Sequence, residues 1–348
     1  MGRQTWPARA GAAVVENASA AGPAGARNTG WRIASGDFVA FIDADCRVDG
    51  ECARPLAALL AAEPSLALAA PRIRSTAERG RLACWERIRS PLDRGAAGGL
   101  VGPGRRVSFL PSAALVARRS ALLELGGFDE AMRFGEDVDL VWRAVSAGWS
   151  VRYAPELEVG HRPRPTFRAR ARQHFDYGTS AAALEARHPG SAAPLRASRS
   201  LLPALLAGGS ARGAFLAAAA LTLKATSRGA DAPVRRAVAG LALDAQLTAG
   251  RELARAVSRD WLPLTLLTAT LGGRLKRAAL LALAVDVASA TAPQPAAAPV
   301  NALLRLADNA AYCAGLWSGA LARRSPRVLF PRRNAAATQA ATGCRRSP

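Results

Sequence analysis

Residues Phe38 to Gly50 read FVAFIDADCRVDG. Five apolar residues run unbroken from Phe38 to Ile42, and Asp43 and Asp45 follow two positions apart. A run of this kind reads as a strand covered on both faces, as in a parallel sheet, and ligands of open α/β sheets gather at the carboxyl ends of such strands. Two carboxylates placed there can hold a hard divalent cation that in turn holds phosphate oxygens; the plainer alternative is an acidic turn after a strand. D-x-D is a short string, so its weight depends on the chain around it.

Outward from this strand, Arg32 to about Pro189 alternates in the α/β manner. RPLAALLAAEP predicts a helix closed by Pro64, LALAAPRI a strand, SAALVA another strand, and RSALLELGG a helix with Ser120 as N-cap and Gly126 or Gly127 past its end. In GEDVDLVWRAVSAGWSVRY, Val138, Val141, Trp142 and Val145 fall on one helical face, and Gly148 stops the helix before the next strand. Upstream, Ala12 to Val15 read as the end of a short strand, and GPAGARNTG as a glycine-punctuated helix start.

The 348 residues carry a net charge of +21, almost all of it arginine, on an Ala-rich background. Aromatic residues are few and do not alternate with the arginines, which argues against nucleic-acid binding. Five cysteines, Cys46, Cys52, Cys84, Cys313 and Cys344, form no C-x-x-C pair, and three scattered histidines do not make a zinc site. Residues 1 to 30 contain no secretory apolar core, so a cytosolic face is expected.

Beyond about Ser191 the chain turns Ala- and Leu-rich with interspersed arginines, and its apolar runs are shorter than the roughly 18 to 20 residues of a membrane span. Such helices read as interfacial on an anionic membrane surface, or as a buried bundle. The composition divides the chain into 1–190, an α/β domain, 191–330, an Ala/Leu/Arg-rich helical region expected to associate with a membrane, and 331–348, a tail expected to be disordered.

A second acidic cluster sits in GGFDEAMRFGEDVDLVWR. Asp137 can cap the helix it precedes, and a carboxylate in that position can also deprotonate a hydroxyl nucleophile. His161 ends the following strand, where it is structural, exposed or a ligand. Arg168, Arg170 and Arg172 follow, with Tyr177-Gly178 expected to end their helix.

Taken in order, GPAGARNTG, GDFVAFIDAD, GGFDE, GEDVDLVWR, AGW and the histidine resemble the inverting family 2 glycosyltransferases of the GT-A fold. The strings RSPLD, VGPGRRV, FLPSAALVARR and FDYGTSAAALEARHPG narrow the resemblance to the mycofactocin system glycosyltransferases, which elongate a glucose chain on a redox cofactor derived from a ribosomal peptide.

That resemblance implies a GT-A (Rossmann-like) nucleotide-diphospho-sugar transferase domain. It makes Asp137 the general base with Glu136 its acidic neighbour, places Arg27, Asn28, Asp43, Asp45, Arg168 and Arg172 at the donor, and makes Asp45 and His161 ligands of Mg²⁺ or Mn²⁺. The implied donor is UDP-glucose and the implied acceptor the peptide-derived cofactor, at the cytoplasmic face of the cell membrane, peripheral or integral. A polyprenyl phosphate or cell-wall glycan acceptor, or an inactive remnant, stays open. The family's opening V-V-V-P-V strand and its D-D-G-S strand are not in the sequence, so the expectation is an N-terminally truncated domain.

Overall fold

The computed structural model describes residues 14–15, 22–48, 52–77, 79–197 and 231–333. They pack into two units, the described parts of Met1–Glu78 with Ser90–Pro163, and of Arg79–Arg89 with Arg164–Pro348. Composition marks its change near Ser191, whereas packing groups the helix that precedes Ser191, and the 79–89 segment, with the second unit.

In the first unit a six-stranded mixed sheet runs β1 (Phe38–Ile42), β5 (Ala114–Arg118), β3 (Leu66–Ser75), β6 (Ser150–His161), β2 (Cys46–Arg47), with β4 (Gly99–Leu100) paired to β6. Only β3 and β6 run parallel; β5 is antiparallel to both β1 and β3. Helix α2 (Ala53–Ala62) lays Leu56 and Leu60 on Leu66, Ile73, Val116 and Val159, the apolar centre of the sheet.

Several expectations hold and some are corrected. The strands at 66–75 and 114–118 and the helix closed before Pro64 form as read. β1 forms too, at the edge of the sheet, but it is covered on one face only: Val39 and Phe41 are buried while Ala40 and Ile42, which point to the other face, are exposed. Of the 12–15 strand, Val14 and Val15 are exposed and belong to no strand, and residues 12 and 13 lie outside the described residues. Ser120 caps nothing, since α4 (Arg119–Leu125) starts ahead of it; Gly126 ends that helix at φ 75°.

α5 (Glu136–Ser146) buries Val138, Val141 and Trp142 as the periodicity requires, and Gly148 follows it at φ 92°. The Trp142 indole donates to Ser108 O at 2.8 Å, fixing α5 to the loop ahead of β5.

The second unit is helical: α3 (Arg81–Arg89), α6 (Phe167–Arg187), α7 (Ala232–Arg255), a π-helical turn (Ala256–Asp260), α8 (Leu262–Thr270), α9 (Gly273–Thr291) and α10 (Ala298–Ala322). A two-residue pairing joins β7 (Arg196–Ala197) to β8 (Arg332–Arg333). Gly178 does not end α6 as the sequence suggested. It is where α10 approaches, and a Cβ there would collide with Tyr312 O, just as one at Gly315 would collide with Phe175 O. Glycine permits this approach at a helical position where it would otherwise only weaken the helix. Among the described residues no helix is long and apolar enough to cross a membrane. The tail beyond 333 lies outside the described residues.

Candidate active site

Three segments of the first unit meet at the carboxyl end of β1. The Asp43 N–H donates to Ala113 O at 2.9 Å, which ties the end of β1 to the loop before β5. The neighbouring Ser112 N–H reaches Asp137 Oδ2 at 3.3 Å. Two adjacent residues of one loop therefore hold the first carboxylate of D-x-D and the first turn of α5.

α1 (Gly22–Ile33) supplies the connection between the acids. Arg27 donates through Nη2 to Asp43 Oδ1 at 2.7 Å and through Nη1 to Glu136 Oε1 at 2.8 Å, with its guanidinium over the Phe128 ring at 5.6 Å. A planar fork suits this geometry, since one cation bridges two carboxylates that would otherwise repel. Arg27 thus touches both acidic clusters that the sequence shows separately.

Asn28 beside it has another task. Its amide donates to Phe128 O and Glu130 Oε1, and its Oδ1 accepts from the Phe128 N–H and the Trp31 indole. With all four side-chain bonding positions used and 1% exposure, Asn28 clamps the 128–130 turn. The close fit extends to Gly127, at φ 73°, where a Cβ would sit 2.6 Å from Asn28 Oδ1.

At the entrance of α5 the N-cap is Gly135, at φ 81°, and not Asp137. A left-handed glycine makes the turn that brings Glu136 and Asp137 into the first helical turn, where acids suit the positive end of a helix. Asp137 Oδ1 accepts from the Val138 N–H at 2.8 Å, so both its oxygens are held by backbone donors. Burial still pushes the Asp137 carboxyl above its ordinary range. Burial, followed by the charge of Asp137, pushes Glu136 up to about 7 even with Arg27 beside it.

Across β2 and β6, Cys46 pairs with His161, which brings His161 Nε2 to 3.4 Å from Asp45 Oδ2. His161 is 6% exposed, while about a third of the Asp45 side chain is open. The Cys46 thiol donates to Ala113 O at 3.2 Å and is pushed up to about 12, first by burial and then by Asp43 and Asp45, so it stays neutral.

Among the described residues no group of three or more His, Cys, Asp or Glu side chains can enclose a metal ion. A carboxylate and an imidazole together fit a cation shared with a substrate, whose phosphates and water complete its shell. The donor set does not fit an all-protein cage.

Arg168 and Arg172 belong to the second unit. Both are exposed, and Arg172 pairs with Asp176 one helical turn on at 3.0 Å. The buried member of that series is Arg170, held by Glu86 and Asp308. Sequence reading missed Phe128 and the Ser112–Ala113 backbone as parts of the site. Phe128 stands in the quoted GGFDE, but nothing local marks a ring that receives a guanidinium from a residue about 100 positions away.

A sheet with paired acids at a strand end, a second acidic pair at a helix entrance and a helical region beyond is the GT-A type of glycosyltransferase architecture. The chain belongs to glycosyl transferase family group 2, whose model matches residues 38–285. It is similar to the "Pre-mycofactocin glycosyltransferase" of Mycobacterium tuberculosis (strain ATCC 25618 / H37Rv), 37% identical over 334 residues that cover 91% of this chain and 71% of that protein. A shorter match, 47% identical over 58 residues, covers 16% of this chain and 19% of the N-acetylglucosaminyl-diphospho-decaprenol L-rhamnosyltransferase of the same strain. Among solved structures, GalNAc-T7 with UDP, GalNAc and Mn2+ aligns with a TM-score of 0.34 and 17% identity over 48% of this chain and 38% of that one.

Proposed function

We propose that this glycosyltransferase moves glucose from UDP-glucose to pre-mycofactocin or its growing oligosaccharide, with inversion at the anomeric carbon, at an anionic membrane surface on the cytoplasmic side. The observation that carries the reading is the joining of D-x-D to the acidic pair of α5 through Arg27. The 37% identity to the pre-mycofactocin enzyme supports pre-mycofactocin as the acceptor.

Asp137 is the general base. Its oxygens are oriented by the Ser112 and Val138 N–H groups, and its raised proton affinity brings it closer to the working pH, where a base is most effective. It takes the proton of an acceptor hydroxyl as that oxygen bonds to the anomeric carbon from the side opposite the departing diphosphate. Glu136 shares the negative charge with Arg27 and keeps the entrance of α5 in place. Asp43 faces the donor. Mg²⁺ or Mn²⁺, when held by Asp45 and His161, supplies positive charge against the leaving group.

The test is mass spectrometry of pre-mycofactocin incubated with the full chain, UDP-glucose and either cation. Added hexose is expected; unmodified acceptor in the presence of metal-dependent UDP binding would defeat the acceptor assignment while leaving the donor reading in place. The 58-residue likeness to a transferase named for a decaprenol-linked acceptor keeps a second reading, in which the acceptor is a polyprenyl-linked sugar. Hexose on that acceptor alone, in the same assay, would select it.

A further inference from the structure

The second unit places its residues against the usual rule. Arg170, Glu86, Asp308, Asp286, Asn301 and Asn309 are each at most 5% exposed. Outside, between α8 and the start of α9, Leu264, Leu266, Leu267, Leu271 and Leu275 are 50 to 66% exposed. Single surface leucines need no explanation, but five in one short stretch make an apolar patch of the kind that marks a contact site.

The polar groups of that stretch are turned away from its surface or satisfied within it. Thr265 is 4% exposed and its hydroxyl donates to Val257 O at 2.7 Å. The Thr268 hydroxyl donates to Thr265 O at 2.9 Å and that of Thr270 to Leu267 O at 2.7 Å. Backbone-satisfied hydroxyls are what an apolar solvent demands, because hydrocarbon offers no partner to a polar group. Gly272 and Gly273, at φ 79° and 64°, make the turn that joins the two helices into one knuckle.

Just past the turn, Arg274, Lys276 and Arg277 are exposed, and Trp261 to Val285 contains these three cations and no acid. A second copy of this chain would set like charges against them. An anionic bilayer is complementary to both the leucines and the cations.

We infer that the α8–α9 knuckle is an interfacial anchor, seating its leucines at the acyl boundary of an anionic bilayer with its cations among the lipid phosphates. Being short and doubled back, it lies in the interface without spanning. The inference rests on the membrane setting of the proposed function and names the surface responsible.

Co-sedimentation of the full chain with vesicles tests it, using phosphatidylcholine alone or equimolar phosphatidylcholine and phosphatidylglycerol. Strong binding is expected only to the anionic vesicles. Neutralising the cations together, Arg274→Gln, Lys276→Gln and Arg277→Gln, is expected to lower partitioning by roughly 100-fold at low salt, the effect of about 1 kcal/mol for each charge removed. Leu266→Ser, Leu267→Ser and Leu271→Ser together are expected to lower it at least about tenfold, from the lost apolar contact. Circular dichroism of both variants should match the parent, since these side chains are exposed.

A parent chain that stays in the supernatant with anionic vesicles, or variants that sediment as well as the parent, would overturn the anchor. So would a concentration-dependent dimer that the leucine variant abolishes while vesicle binding is kept, which would assign the face to a second copy. The assay contains neither donor nor acceptor, so vesicle binding without hexose transfer counts against the transfer reading alone, and transfer without vesicle binding against the anchor alone.

Discussion

Two arginines of this chain are each clamped between two carboxylates, and they serve different ends. Arg27 bridges Asp43 and Glu136 in the first unit; Arg170 bridges Glu86 and Asp308 in the second. The charge formula is the same, one cation to two acids. Around Arg170 it is closed: Asp308 also accepts the Trp85 indole at 2.8 Å, Arg170 also donates to Arg89 O, and the acidic side chains are 3% and 5% exposed. Around Arg27 it is open on one side: the Glu136 side chain is 10% exposed, but that of Asp43 is 36% exposed. A closed network fixes helix packing, whereas an open one leaves carboxylate oxygens where an incoming charge can reach them.

The sharpest way to break this comparison is to remove each cation. Arg170→Ala leaves two buried acids without a partner and is expected to cost about 3 to 5 kcal/mol, the range for breaking a buried ion pair from one side. Thermal or urea unfolding measures it; a loss below about 1 kcal/mol would mean that the network is not the structural one described.

In the open cluster the largest effect should be chemical. Asp137→Asn keeps the shape and one backbone-accepting oxygen, so the fold should hold while turnover falls by roughly 10²- to 10⁴-fold, the usual contribution of a general base. Unchanged turnover would return Asp137 to a structural role in the first turn of α5, and loss of UDP binding together with turnover would make that role the whole of its contribution.

Next in size is a pH effect in the closed network. His174 Nε2 lies 3.5 Å from Asp308 Oδ1 without a hydrogen bond. Burial pushes its pKa from 6.5 down to about 4, against the pull of Asp308 and with Arg170, Arg259 and Arg305 adding to the fall. The unfolded chain therefore binds a proton that the folded one refuses between these values. Stability should decline as pH falls from about 6.5 towards 4, by about 3 kcal/mol at most, and level off below. His174→Gln, measured by urea unfolding at several pH values, should flatten that slope; an unchanged slope would place its origin among the carboxylates.

Legibility differs in the same way between the two units. α2, α5, β3 and β5 were readable because local periodicity, Pro64 and Gly148 carry the information. β1 was readable as a strand but not as one exposed on a face, since that depends on what packs over the sheet from distant parts of the chain. The acids of the site were marked by their motifs, yet the bridge was not, because Arg27 and Glu136 are 109 positions apart. Local reasoning also erred where a residue has two uses. Gly178 reads as a stop and is a contact, Asp137 reads as a cap although left-handed Gly135 makes the turn, and the series Arg168, Arg170, Arg172 gives no sign that its middle member is buried.

The smallest change asks what Arg27 does for the reaction. Arg27→Lys keeps the charge but replaces a two-pronged fork with a single ammonium, which can satisfy Asp43 or Glu136 but not hold both in one geometry. If the bridge only positions the acids, kcat should fall about tenfold, some 1.4 kcal/mol, with the KM for UDP-glucose unchanged. If Arg27 instead releases an acid to grip the donor, KM should rise while kcat stays. Arg27→Ala separates charge from geometry: removing the cation disfavours the ionised forms of Glu136 and Asp137, so the acid limb of the pH–rate profile should move to higher pH, whereas the lysine variant should leave it in place. An acid limb equally displaced in both variants would show that geometry and not charge sets the protonation of the pair, and Arg27 would then resemble Arg170 more closely than its exposure suggests.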